Sequence, residues 1–329
     1  MDLWTDVREQ YLRFAAESTD SPCFSSWSEH VADDPEVLAW VSSLPQIKQQ
    51  PNLVFAAARW HGVSAPGPYA GLREALLGDD GRIVATILER STQTNEAGRL
   101  ATLVPALAQV ADLAGGHPLS LLEVGASAGL CLFPDRWSYA WETDAGLVRA
   151  GEGPTLTCRV SGPAPLPGAV PRVAARRGID LHPIDVGDAD STSWLTNLVW
   201  PEQDARRERL VQAVAIARAD PPHITAGDLI EALPRMVDEA SADGPVVVFH
   251  SAVIAYLDPV QRAEFEALVR GLVEAGACHW ITNEAAGVLP SVTATGPAVP
   301  DGHPTFVLGI DGQTVAWTHG HGRSLRWLT

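Results

Sequence analysis

The stretch Leu119–Leu130, Leu-Ser-Leu-Leu-Glu-Val-Gly-Ala-Ser-Ala-Gly-Leu, constrains the fold of this chain more than any other. A short apolar run carries an acid, Glu123, near its end and passes through five small residues, Gly125 to Gly129. The pattern predicts a strand, a tight loop and the opening of a helix. Small residues let the main chain turn sharply and let a ligand approach it closely.

Three chemistries use such a loop. A dinucleotide fingerprint, G-x-G-x-x-G, would need glycines at 125, 127 and 130, and Ser127 and Leu130 stand at two of these. Gly125-Ala126-Ser127-Ala128-Gly129 is also a literal G-x-S-x-G, the nucleophile elbow of hydrolases. The third is the acid-apolar-G-x-G-x-G loop of S-adenosylmethionine (SAM) sites, with Ser127 for the middle glycine and Glu123 facing the methionine ammonium. An elbow borrows an oxyanion N–H from a loop after an earlier strand. Upstream of Leu119 the patterns are helical, so the SAM loop is preferred, and a plain strand-to-helix turn is the reading with no ligand.

The 329 residues carry 23 Lys and Arg against 40 Asp and Glu, a net charge of −17. So acidic a chain is a poor partner for nucleic acid. Its four cysteines, Cys23, Cys131, Cys158 and Cys278, form no C-x-x-C, which argues against a disulfide framework or zinc cluster and fits a reducing cytoplasm. No basic-then-apolar leader and no 18-residue apolar run suggests secretion or membrane insertion.

Along the chain, residues 1–114 read as a helical cap domain and 115–329 as the sheet domain. Helical spacing recurs from Trp4 to Ala15, from Pro35, from Leu53 to Trp60 and from Tyr69 to Leu77. Thr92, Gln93, Thr94, Asn95 and Glu96 then precede the apolar helix predicted at Leu100–Leu113. One helix cap needs one such residue, so the excess suggests a ligand-facing cluster. Within 134–172, Trp137–Glu142 and Thr155–Val160 alternate like strands across a Gly-rich turn and predict an inserted β-hairpin. Strands and helices then alternate, beginning with a strand over Gly178–Asp185, which implies a parallel sheet. Asp311-Gly312 predicts a closing hairpin.

In open α/β sheets the ligand lies beyond the carboxyl ends of the strands. Reading those ends selects Glu123, Asp185, Asp228, the pair His250-Ser251, and Glu284. In a SAM site Asp185 would hold the ribose hydroxyls and Asp228, next to Gly227, the adenine amino group. Each acid alone reads equally as a helix cap or a solvated turn. His250 and the nearby Tyr256 are candidate bases or substrate contacts. His319-Gly320-His321 has metal-ligand spacing but no carboxylate or Cys partner in sequence, so no metal is expected.

Thr92–Arg99, Glu123–Leu130, Pro183-Ile-Asp185, Leu198–Gln203 and Phe249-His-Ser251 together resemble a largely uncharacterised bacterial family of unknown function, related to class I SAM-dependent methyltransferases. The resemblance spans nearly the whole chain. It implies an α/β fold, a helical N-terminal cap over a seven-stranded Rossmann-like sheet with an antiparallel last strand. It also implies SAM as cofactor, held by Thr94, Asn95, Arg99, Glu123, Gly125, Ala126, Ser127, Gly129, Asp185, Gly227 and Asp228, with His250, Ser251, Tyr256 and Glu96 as catalytic candidates. The expected activity is methyl transfer to a small molecule under the cap. His250-Ser251 stands where many methyltransferases carry Asn/Asp-Pro-Pro-aromatic, which weakens an amino acceptor. The alternatives are a SAM-consuming lyase that displaces methylthioadenosine internally to give a small cyclic amino acid, a serine hydrolase built on Ser127, and a non-catalytic SAM-binding protein. Self-association as a homodimer is left open.

Overall fold

A computed structural model describes residues 6–93, 95–300 and 305–328. Six helices come first: α1 (Val7–Glu17), α2 (Pro22–Asp33), α3 (Pro35–Ser42), α4 (Pro51–Trp60), α5 (Tyr69–Leu77) and α6 (Arg82–Glu89). After them come α7 (Leu100–Leu113), β1 (Leu119–Val124), β2 (Ser138–Thr143), β3 (Gly146–Ala150), β4 (Thr155–Ser161) and β5 (Val173–Asp180). Helices α8 (Ala189–Leu198) and α9 (Asp204–Ala219) lead to β6 (His223–Ala226), α10 (Leu229–Ser241), β7 (Val246–Ser251) and α11 (Pro259–Glu274). The chain closes with β8 (His279–Ala285), α12 (Pro290–Thr293), β9 (Phe306–Ile310), β10 (Gln313–Thr318) and β11 (Ser324–Trp327). Among the described residues no helix is long and apolar enough to cross a membrane.

The chain divides into two compact units, Met1–Thr94 with Asp188–Val211, and Asn95–Gly187 with Gln212–Thr329. The boundary falls inside the polar segment at 94/95 rather than at 114, so α7 belongs with the sheet, while α8 returns to the helical unit. In the helical unit, prolines at the first turns of α2, α3 and α4 set φ for helix entry, and Ser21 and Asp34 cap α2 and α3. Phe55 of α4 is the centre of its core, with the rings of Tyr11, Phe24 and Trp27 edge-on at 5.9, 5.1 and 5.4 Å.

The second unit is a mixed α/β structure on one large sheet. Its strand order is β3-β2-β4-β11-β10-β9-β8-β7-β1-β5-β6, eleven strands among the described residues. Strands β6, β5, β1, β7 and β8 are mutually parallel, and β9, β10 and β11 continue antiparallel. The Asp311-Gly312 hairpin forms as expected, with φ of +49° and +78° at its two central residues. Leu122 and Val124 of β1, Val246 and Val248 of β7 and Trp280 of β8 pack with Leu233 and Val237 of α10 and Phe265 and Val269 of α11. By strand alternation Leu121, Glu123, Phe249, Ser251, Ile281 and Asn283 lie on the other face, where α7 packs against β4 and β8.

Four expectations are corrected. No helix follows β1: the buried run Leu130–Phe133 leads into a short 3-10 turn at Pro134–Arg136. Proline disfavours α backbone in the residue before it, and Phe133 has φ −117° and ψ 47°. The inserted strands Trp137–Glu142 and Thr155–Val160 exist, but β2 and β4 run parallel. The antiparallel mate of β2 is β3, and the turn after it brings Gly151 and Gly153 (φ +77° and +116°) against the carbonyls of Trp137 and Arg136, back at the start of β2. This insertion extends the main sheet through β11, so eleven strands, not the expected seven, make up the sheet among the described residues. Finally, β5 ends at Asp180, not Asp185, because the Asp180 carboxylate accepts the N–H groups of His182 and Ser127 and ends the ladder there.

Candidate active site

The run β6-β5-β1-β7-β8 steps in one direction from β1 to β6 and in the other from β1 through β7, so a topological switch point lies between β1 and β7. Ligands of open α/β sheets bind outside the carboxyl ends of the strands at such a point. On the face bearing α7, those ends carry a row of buried polar side chains. Glu123 stands at the end of β1, Ser251 at the end of β7, Asn283 on β8 and Thr318 on β10. Thr318 Oγ1 donates to Asn283 Oδ1 (2.7 Å), and Asn283 Nδ2 donates to Ser251 Oγ (2.9 Å).

Arg99, in the 3-10 turn Ala97–Arg99 before α7, closes this row. Its Nη1 donates to the Ser251 carbonyl and its Nε to the Gly320 carbonyl, both at 2.8 Å. Glu123 Oε2 is buried and accepts no hydrogen bond among the described residues. Burial pushes the Glu123 carboxyl well above the usual carboxylate range; Arg99 opposes the shift and Asp180 adds to it. Glu96 is also buried, its Oε1 accepting the Gly98 N–H (2.9 Å) and its Oε2 3.7 Å from His321 Nδ1. The Cys131 thiol donates to the Glu96 carbonyl (3.5 Å), and burial pushes it far from thiolate. Buried groups of this kind are rarely left unsatisfied, so the free Glu123 oxygen needs an explanation.

The loop after β1 is held in an unusual backbone. Gly125, Ser127 and Gly129 all have left-handed φ (+67°, +49° and +66°). Asn95 clamps it, with Nδ2 donating to Ser127 Oγ (2.9 Å) and Oδ1 accepting from the Ala128 N–H (3.1 Å). Asp180 Oδ2 accepts from the Ser127 N–H (2.8 Å), and the Asp180 carbonyl accepts from the Gly227 N–H (3.0 Å). The Cβ that Gly125 lacks would stand 2.3 Å from Val253 Cγ1, so this glycine admits a side chain of the β7–α11 loop rather than a ligand. Ala126 is buried, and a Cβ on Gly129 would meet Pro222, Ile224 and Leu132. At Gly227, whose N–H bonds the Asp180 carbonyl, a Cβ would meet nothing within 4 Å.

The remaining candidates are distributed differently from the expectation. His250 is on the opposite face from Ser251 and is 0% exposed. Its Nε2 accepts from the Trp280 indole (3.0 Å), so its Nδ1–H donates to Glu284 Oε1 (2.7 Å). Glu284 Oε1 also accepts the N–H groups of Val253 and Ile254. Both ring nitrogens are thus engaged inside the core, leaving His250 no position from which to act as a base. Tyr256 is 58% exposed in the 3-10 turn Ile254–Tyr256. Asp185 is exposed and accepts from the Gly187 N–H (2.7 Å), and Asp228 caps α10 through the Ile230 and Glu231 N–H groups. Thr94 lies outside the described residues, and Thr92 donates to Gln50 (2.6 Å) within the helical unit. Ser127, the elbow candidate, accepts from an amide and stands in no strand–turn–helix unit.

Sequence reasoning missed Asp180, Asn283 and Thr318. Asp180 sits inside the strand expected over Gly178–Asp185, and the alternation of that strand was the available signal. Asn283 and Thr318 come from strands 35 residues apart that only pairing across β9 unites; nothing local marks them.

The model of a family described as an uncharacterised protein conserved in bacteria (DUF2332) matches residues 8–327, and the chain belongs to that family. No curated protein matches it.

Proposed function

For this member of a bacterial family without an assigned activity, we propose a SAM-dependent transferase that carries the methyl group to a small molecule, with its cofactor at the β1/β7 switch point. The observation that carries the proposal is the buried, unpartnered Glu123 Oε2 at the end of β1. A buried carboxylate oxygen without a donor is matched by a cationic donor such as the methionine ammonium of SAM. Asp180, half-buried at the end of the neighbouring β5 and beside the open space at Gly227, suits the ribose hydroxyls. Counting the parallel strands in chain order, β6-β5-β1-β7-β8 runs 3-2-1-4-5, the order of doubly wound nucleotide-binding sheets, which also supports the reading. The residues present therefore fit the group, with Asp180 in the role expected of Asp185.

SAM supplies a methyl on a sulfonium that is already a good leaving group. What remains for the chain's own residues is mainly alignment. Glu123 anchors, Asn95 and Asp180 hold the loop after β1, and Arg99 ties the end of β7 at Ser251 to Gly320. His250 removes no proton, so the acceptor is a group nucleophilic without a base at that position.

The test is calorimetric titration of the protein and of Glu123→Gln with SAM, followed by chromatography of the incubated mixture. Binding by the protein and its loss in the variant are expected. S-adenosylhomocysteine formed with candidate acceptors supports transfer. Methylthioadenosine formed without an acceptor points to the internal displacement, and no binding sinks the proposal.

A further inference from the structure

The relay Thr318–Asn283–Ser251 fixes which way the Ser251 hydroxyl works. Thr318 Oγ1 donates to Asn283 Oδ1, so the Asn283 amide must turn its NH2 to Ser251, and Ser251 Oγ accepts that bond. The Ser251 proton is left with no acceptor among the described residues, although the side chain is more than nine-tenths buried. A serine constrained in this way is a donor waiting for an oxygen. Beside it, Arg99 bonds the Ser251 carbonyl and brings a positive charge. On the adjacent strand and the same face, Glu123 offers a buried oxygen with no donor. Glu123 pairs across with Phe249, and Ser251 is two residues further along β7. Their Cα atoms are thus diagonal neighbours, on the order of 8 Å apart from the strand spacing and rise. A buried acceptor and a buried donor with a cation, separated by that span, are complementary to an ammonium and a carboxylate on one carbon.

We infer that the crevice between β1 and β7 is an α-amino-acid site, in which Ser251, oriented by Asn283 and Thr318 and assisted by Arg99, binds the carboxylate of the ligand whose ammonium pairs with Glu123. This rests on the SAM reading above and assigns the carboxylate end of the same ligand. It makes the relay a specificity device, because leaving out the carboxylate leaves the buried Ser251 hydroxyl without an acceptor, a mismatch that costs affinity steeply.

The experiment compares SAM with decarboxylated SAM, which keeps the ammonium, sulfonium and adenosine. Calorimetry on the protein, Ser251→Ala, Thr318→Val and Thr318→Ser reads both ligands, and thermal midpoints verify folding. The full chain should bind SAM at least about tenfold more tightly than the decarboxylated compound, the worth of a charge-assisted hydrogen bond. Ser251→Ala should erase that preference by weakening SAM alone. Thr318→Val should lower it, and Thr318→Ser, which keeps the hydroxyl, should restore it. Equal loss of both ligands in Ser251→Ala would mean a merely structural role and overturn the inference. SAM binding unchanged in Ser251→Ala, or equal affinity of the full chain for the two ligands, overturns it while the SAM reading stands. A full chain that binds neither ligand overturns both.

Discussion

The two faces of the sheet at the carboxyl ends of β7 and β8 use the same residue types to opposite ends. On the face packed by α10 and α11, His250 lies between Glu284 and Trp280 inside an apolar core with each ring nitrogen engaged. Glu284 bonds through Oε1 alone, and its Oε2 has no partner among the described residues. One residue further on, the face packed by α7 carries Glu123, Ser251 and Arg99, also buried, with an unpartnered oxygen and an unmatched hydroxyl proton. Strand alternation separates them by a single position. Burial and polarity therefore do not by themselves mark a site. Each face holds an unpartnered carboxyl oxygen, and what differs is its company. Beside Glu284 stands a histidine with both nitrogens engaged, whereas on the face of Glu123 the Ser251 hydroxyl still has a proton to give.

The largest expected effect lies on the face of His250. His250→Ala leaves the Trp280 N–H and Glu284 unmatched in the core, and removing one partner of such a buried pair should cost about 3–5 kcal/mol in urea unfolding. The ratio of SAM to decarboxylated-SAM affinity should stay unchanged in the protein that remains folded; a changed ratio would break the separation of the faces. Gly125→Ala should cost about 2–4 kcal/mol, adding left-handed backbone strain to a clash with Val253. Restoration by the double variant with Val253→Ala, beyond the two single effects, would confirm that this glycine serves packing.

On the other face, Glu123→Gln should weaken SAM at least about tenfold. It should also raise the thermal midpoint of the ligand-free protein at pH 8. Because burial raises the folded-state pKa of Glu123, its neutral form favours folding; that advantage is complete below the unfolded carboxyl pKa of about 4.3 and is lost as pH rises through the folded value. The difference between the two proteins should accordingly vanish in acid. For the same reason wild-type affinity for SAM should rise with pH, whereas the Glu123→Gln variant, with no carboxyl to titrate there, should give a flat profile. The smallest effect sharpens the choice between two acids: Asp185→Ala should leave SAM binding and the urea midpoint unchanged, while Asp180→Ala should lower both through the freed Ser127 and His182 N–H groups.

Much of the architecture was legible. The helical first part, the strand at Leu119, the α/β rhythm from β5 onward and the Asp311-Gly312 turn follow from periodicity and turn chemistry. Where reading failed, the reasons are local competitors. Pro134 stopped a helix that the small-residue loop promised, and a turn crossing back over β2 made parallel strands out of an apparent hairpin. At the site, Asp180 rather than Asp185 ends β5, and His250 and Ser251, both named from the sequence, stand on opposite faces of the sheet.

Sequence alone determined that a buried strand with Glu123 near its end and a loop of small residues would stand in the parallel part of an α/β sheet, because burial period and backbone freedom are local properties. Tertiary structure alone decided which neighbours are satisfied. Hydrogen bonds between Thr318, Asn283 and Ser251, and the filling of Gly125 by Val253, join residues from 32 to 128 positions apart. A polar group's availability depends on such partners, and no local pattern encodes them.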